Sequence, residues 1–190
     1  MDQRRPFAPS LDCRQNRRTR VNSISAHTCS GLQGATPSVR QLRVQDQMTH
    51  IPQDLERFVS AQDAVYIDVV FELNTGRKTS HWMWFVFPQL RGLGHSGMAI
   101  KNGLASAEEA LAFWKHPILG ARLRECTALV LAVEAKSAYE SFGSPDDAKF
   151  WSCLTLFDAA VVGETLFARA LAAYYSGKRD PQPLELLALT

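Results

Sequence analysis

The residues best suited to chemistry in this chain flank one aromatic run. Ser80-His81-Trp82-Met83-Trp84-Phe85-Val86-Phe87-Pro88 is apolar almost throughout. Lys78 and His81 stand at its front, and Gln89, Gly94 and Ser96 follow it. Arg122 lies in a later apolar-patterned segment, and Asp146, Lys149 and Ser152 share another. Burying such polar groups without partners costs about 1–3 kcal/mol each, so they must either bond one another or meet a ligand. Lys78 and Arg122 offer positive charge to a phosphate, Arg122 as a bidentate fork. Gly94 followed by Ser96 can set amides and a hydroxyl at a helix start, which favours an anion. Trp82 and Trp84 suit a core, but an indole can also stack on a base or sugar. His81 and Asp146 are the candidate general acid and base, provided both reach one substrate. The expectation is a single pocket. His81 and Asp146 would be its catalytic groups, and Lys78, Trp82, Gln89, Gly94, Ser96, Arg122, Lys149 and Ser152 would bind the ligand.

Several chemistries have no pattern in the sequence. Cys13, Cys29, Cys126 and Cys153 form no C-x-x-C pair, and no H-E-x-x-H or spaced Cys/His cluster occurs, so no metal is expected. Gly92-x-Gly94 lacks the spacer and Gly-Lys-Ser/Thr of a P-loop, and no βαβ context makes it a dinucleotide fingerprint. Gly94-His95-Ser96-Gly97 lacks the strand of a nucleophile elbow. No cofactor is expected.

The elements that must position these residues are helical. Pro52 suits the first turn of a helix carrying Leu55, Phe58 and Val59. Asp63 is placed to cap a second helix with Val65, Val69, Val70 and Leu73, stopped by Gly76. Ser106-Ala107-Glu108-Glu109 and Ser137-Ala138-Tyr139-Glu140 read as capping boxes. Pro117 opens what reads as the longest helix, running to Ala135. Ser144-Pro145-Asp146-Asp147 starts the helix that carries Phe150, Leu154 and Phe157. A further long helix spans about 164–175, and Pro181 and Pro183 separate it from a short terminal piece at 184–189. The aromatic run has neither period and reads as an extended piece or irregular turn. The fold class is therefore all-α: a compact orthogonal multi-helix domain, residues 48–190, behind a disordered basic extension, residues 1–47.

Charge divides the chain at the same point. Residues 1–47 hold eight Arg against three Asp, a net of +5, while residues 48–190 hold 13 Lys+Arg against 16 Asp+Glu, a net of −3. The acidic domain weighs against nucleic-acid binding through a basic face. No apolar run is long enough for a transmembrane helix. The extension is Arg-rich and acid-poor, as transit peptides are, but Leu11, Val21 and Ile24 form no apolar face. With thiols expected to be free and buried and no secretory h-region in the first thirty residues, the expectation is a reducing, cytoplasmic setting.

The aromatic run with Gln89 and Gly92-Leu93-Gly94-x-Ser96 closely resembles the signature of the family catalogued as domain of unknown function number 1810. The likeness includes Asp54-Leu55-x-Arg57-Phe58, Ala61-Gln62-Asp63 and His116-Pro117-x-Leu119-Gly120-x-Arg122-Leu123. It continues through Phe142-Gly143-Ser144-Pro145-Asp146-Asp147-x-Lys149 and Ser152-Cys153-Leu154-Thr155-Leu156-Phe157, and so covers about residues 52–187. The resemblance implies a mainly helical fold and carries no established activity. Members have sometimes been labelled calpastatin by automated transfer, although calpain inhibitors of that name are disordered and repetitive. A fainter similarity is to NADAR-type proteins, which act on ADP-ribosyl or riboflavin-pathway N-glycosidic bonds. The functional expectation is binding or hydrolysis of a phosphorylated, nucleotide-like small molecule, such as ADP-ribose or a related N-glycoside. The alternative is a non-enzymatic protein-interaction or structural module.

Overall fold

The computed structural model describes residues 55–188, all within the helical domain; the expectations for residues 1–47 and for Pro52 lie outside them. Ten helices follow in order: α1 Glu56–Asp63, α2 Tyr66–Asn74, α3 Met83–Val86, α4 Gly97–Asn102, α5 Ala107–Lys115, α6 Leu119–Ala132, α7 Ala138–Phe142, α8 Asp146–Ala160, α9 Leu166–Tyr175 and α10 Pro181–Ala188. Among the described residues the only β pairing is one isolated parallel bridge, Leu90 to Leu104. The all-α expectation holds.

α8 is the centre of the packing. It contacts α3, α5, α7, α9 and α10, and six consecutive residues, Ser152 to Phe157, are all buried. Over those six residues the helix is covered on every side and shows no polar face to solvent. Its rings join two aromatic clusters. Phe150 meets Phe87 and Phe142, each at 4.8 Å between centroids. Phe157 meets Phe113 and Phe167, and Phe113 receives Phe58 edge-on at 5.1 Å.

The chain's punctuation explains most helix ends. Ser137 and Glu140 form the reciprocal capping box at α7. Ser106 caps α5 by accepting from the Glu109 amide, but the Glu109 carboxylate does not return to Ser106. It accepts from the Ala105 amide and pairs with Arg57 at 3.0 Å. His116 accepts from the Ile118 and Leu119 amides at the start of α6. α6 is 14 residues long and α8 is 15, so α8 is the longest helix. Asp63 does not cap α2; it ends α1, and its carboxylate pairs with Arg122. Pro181 and Pro183 lie inside the first turn of α10, where a proline lacks no needed amide.

The aromatic run departs most from its expected form. It contains one helical turn, α3, entered through Trp82 and left at Phe87. Trp82, Met83, Phe85, Val86 and Phe87 are buried, and only Trp84 is half-exposed. With so many residues buried at once, no polarity pattern could report a helix.

Candidate functional site

The site begins with a carboxylate that sequence patterning did not single out. Glu72 lies on the buried face of α2, between Val69 and Leu73, and is 7% exposed. Gly76 turns the chain with φ +63° just after α2. That turn brings the following loop back onto Glu72. Glu72 Oε2 accepts from the Thr79 and Ser80 amides at 2.8 and 3.2 Å and from Trp82 Nε1 at 2.8 Å. Its other oxygen accepts from the Thr79 hydroxyl at 2.8 Å. Burial pushes this carboxyl upward, but the donors from Thr79 and Ser80 outweigh it and hold it at about 2. Trp82 is thereby fixed in the core by its only polar atom.

Lys78 lies between these anchors. Its amide donates to the Ser141 carbonyl at 2.8 Å, which ties the loop to α7. Its ammonium lies 5.2 Å from the Trp82 ring centroid and 2.6 Å from Asp146 Oδ2. Asp146 and Lys149 are three residues apart at the start of α8, so they share a face. Lys149 Nζ reaches Asp146 Oδ1 at 2.6 Å and rests 3.4 Å from the centroid of Trp84. One carboxylate thus sits between two ammoniums, and each ammonium lies on an indole. The side chains of Lys78, Lys149 and Asp146 are 7, 15 and 16% exposed. Burial raises the Asp146 carboxyl, but bonds from Lys149 and Lys78 override it and hold the group below the usual carboxylate range. Lys78, Asp146 and Lys149 together sum to one positive charge in a mostly covered setting; a further anion, the ionised Glu72, accepts from the Trp82 indole that Lys78 lies over. Gln89 joins it by donating from Nε2 to the Lys149 carbonyl at 3.4 Å.

The other expected site residues go elsewhere. Trp82 is 1% exposed, so its ring offers no face to a ligand. Ser96 caps α4 by accepting from the Ala99 amide at 3.1 Å. Gly94 is explained by close packing, since a Cβ there would come within 2.8 Å of the Ala99 Cβ. These two residues serve α4, a helix of only six residues. Arg122 pairs with Asp63 at 2.7 Å, reaches Gln62 and covers the Tyr66 ring at 4.4 Å; none of those partners bonds to Lys78, Asp146 or Lys149. The Ser152 hydroxyl bonds the buried Asp180 carboxylate, and Thr155 accepts from the Asp180 amide at 2.9 Å. Asp180 also accepts from the Gln182 amide, so this network fastens α10 to α8. His81 stands exposed, with no hydrogen bond or ion pair among the described residues. Of the ten expected residues, the structure gathers Lys78, Gln89, Asp146 and Lys149, over Trp82 and Trp84, and Gly94 shares a small cavity with Gln89 and Trp84.

This arrangement limits the chemistry. Asp146 is held ionised by two ammoniums, one on each oxygen, so it is not poised as a general acid. Beside Trp84, a cavity of about 10 Å³ is lined by Trp84, Gln89, Leu90, Gly94, Ala99, Asn102 and Gly103, room for about one water. Cys126 is buried and pushed up to about 12 by desolvation, and burial holds the buried Cys153 well above the ordinary thiol range. Neither is an activated nucleophile. Among the described residues, no group of three His, Cys, Asp or Glu could hold a metal ion, and no helix is long and apolar enough to cross a membrane.

No curated protein matches the chain. The chain is similar to the crystal structure of the conserved hypothetical protein Rv1873 from Mycobacterium tuberculosis. The TM-score is 0.72 and the identity 53%, over 73% of this chain and 99% of that one. A family model for proteins of unknown function, DUF1810, matches residues 52–187. That span takes in Lys78, Asp146 and Lys149 with the elements that hold them, and the chain belongs to the DUF1810 family.

Proposed function

We propose that the domain binds a phosphorylated, nucleotide-like small molecule through the Lys78–Asp146–Lys149 cluster. The observation that carries this reading is the unmatched positive charge: two ammoniums share one carboxylate while both are largely withdrawn from water. An anionic group arriving there supplies the missing counter-charge, and partial burial strengthens that attraction relative to open solvent. Lys149 and the half-exposed Trp84 form the accessible edge, where a phosphate meets charge and an attached ring meets an indole.

The reading is binding rather than hydrolysis. General acid/base catalysis needs a group that exchanges a proton near neutral pH. Asp146 is held ionised, and among the described residues His81 has no orienting partner. The rival reading, a purely structural network, is favoured by one observation: Ser96, Arg122 and Ser152 are all satisfied within the domain. A thermal-shift titration with inorganic phosphate, ADP-ribose and nucleotides separates the two. A ligand present at about 100 times its Kd adds about 2.7 kcal/mol to stability. Stabilisation by a phosphorylated compound supports binding, and no shift with any of them supports the structural network.

A further inference from the structure

A cavity of about 330 Å³ opens beside α2, lined by residues of that helix and of the loop that follows it. Its volume would suit a small ligand, but its walls are already engaged. The Thr75 hydroxyl donates to the Glu72 carbonyl, the Thr79 hydroxyl to the Glu72 carboxylate, and that carboxylate is saturated by further donors. Three lining residues keep unused chemistry. Phe71 is 69% exposed. Asp68 and Arg77, both exposed, make no side-chain hydrogen bond or ion pair among the described residues. Ile67, one turn before Phe71 on α2, is 86% exposed and extends the apolar strip.

We propose that this face of α2 is a self-complementary interface for a second copy of the chain. An apolar centre with bare charges on its rim is the composition of a protein interface. The rim charges are opposite in sign and belong to one patch. A two-fold axis through Phe71 sets Asp68 of one copy against Arg77 of the other, and does so twice, as an isologous contact requires. The apolar strip then meets itself, and both unpaired charges gain a partner.

Sedimentation of the full chain over a range of concentrations tests this. The expected result is a reversible monomer–dimer equilibrium, and Phe71→Asp weakens it by at least about tenfold. Asp68→Arg and Arg77→Glu each weaken it by setting like charges together, and the double variant Asp68→Arg/Arg77→Glu regains dimerisation because the pair is reversed in both copies. All four side chains are exposed, so an unchanged far-UV circular dichroism spectrum accompanies each variant, and Ile67→Lys provides a second apolar test. A chain that stays monomeric at every concentration overturns the proposal. So does a dimer indifferent to Phe71→Asp and Ile67→Lys, or a double variant no better than either single one.

Discussion

Lys78 Nζ lies 2.6 Å from Asp146 Oδ2, so an almost fully covered ion pair joins the loop after α2 to the first turn of α8. A buried pair is poor evidence of stability for its own sake, because desolvation offsets much of the Coulomb attraction. Here the offset is larger, since Lys149 brings a second ammonium to the same carboxylate. Apolar side chains would fill this space at less cost. An arrangement that withdraws two cations from water for one anion suits a domain that takes up another anion.

Glu72→Gln tests the anchor beneath Lys78. The folded-state carboxyl lies at about 2 against an ordinary value of 4.5. A lowered folded value stabilises above the unfolded pKa, and the contribution fades as pH falls from about 4.5 to about 2. The variant is expected to lose about 2–3 kcal/mol at pH 7, with the gap to the parent shrinking toward pH 2. Urea titrations at pH 7, 4 and 2.5 check this; a gap that does not change with pH contradicts it.

The two tryptophans of the aromatic run are expected to separate. Trp82→Ala removes a ring that is 1% exposed and takes one of its four donors from Glu72, for a loss of about 3–5 kcal/mol. Trp84→Ala removes a half-exposed ring and its contact with Lys149, for a loss of about 1–2 kcal/mol. Chemical denaturation of both variants measures the difference. Equal losses would mean that Trp84 is as much core as Trp82.

Ser152→Ala is expected to cost about 1–3 kcal/mol by withdrawing a donor from the buried Asp180 carboxylate. The loss is confined to the seat of α10. Hydrogen exchange therefore quickens in residues 181–188, while ligand-induced stabilisation is unchanged. Loss of the ligand response with α10 protection intact would return Ser152 to the binding site.

Gly120→Ala is expected to cost about 3 kcal/mol or more, because its Cβ would fall 1.8 Å from the Trp114 carbonyl oxygen. Gly97→Ala is the control, with nothing within 4 Å of its added Cβ, and it is expected to be neutral or stabilising by up to about 1 kcal/mol. Melting temperatures of the pair decide; similar values would contradict the close approach of α5 and α6.

Helices whose ends carry their own signals were legible in the sequence, as at Ser137-x-x-Glu140 and Gly76. Such caps are local, so neighbouring residues determine them. Asp63 misled because a capping residue and an ion-pair partner look alike until Arg122, 59 residues away, comes into range. Within the site, Lys78, Gln89, Asp146 and Lys149 stood out as polar groups in apolar segments, and the fold does bring them together. The same criterion also selected Ser152 and Arg122, whose partners Asp180 and Asp63 lie on other elements. Glu72 had a readable mark, a carboxylate three residues after Val69 on the helix's apolar face. That it anchors Trp82 follows only from the turn at Gly76.

The unmatched charge itself is the claim to test, by calorimetric titration of ADP-ribose into the parent chain, Lys149→Met and Asp146→Asn. Lys149→Met leaves one cation for one carboxylate, and Asp146→Asn leaves two cations with none. The account predicts that binding weakens by about tenfold or more in the first and tightens in the second, in step with a change of one unit charge near the phosphate. Binding unchanged in Lys149→Met, or lost in an Asp146→Asn variant that remains folded, would contradict it.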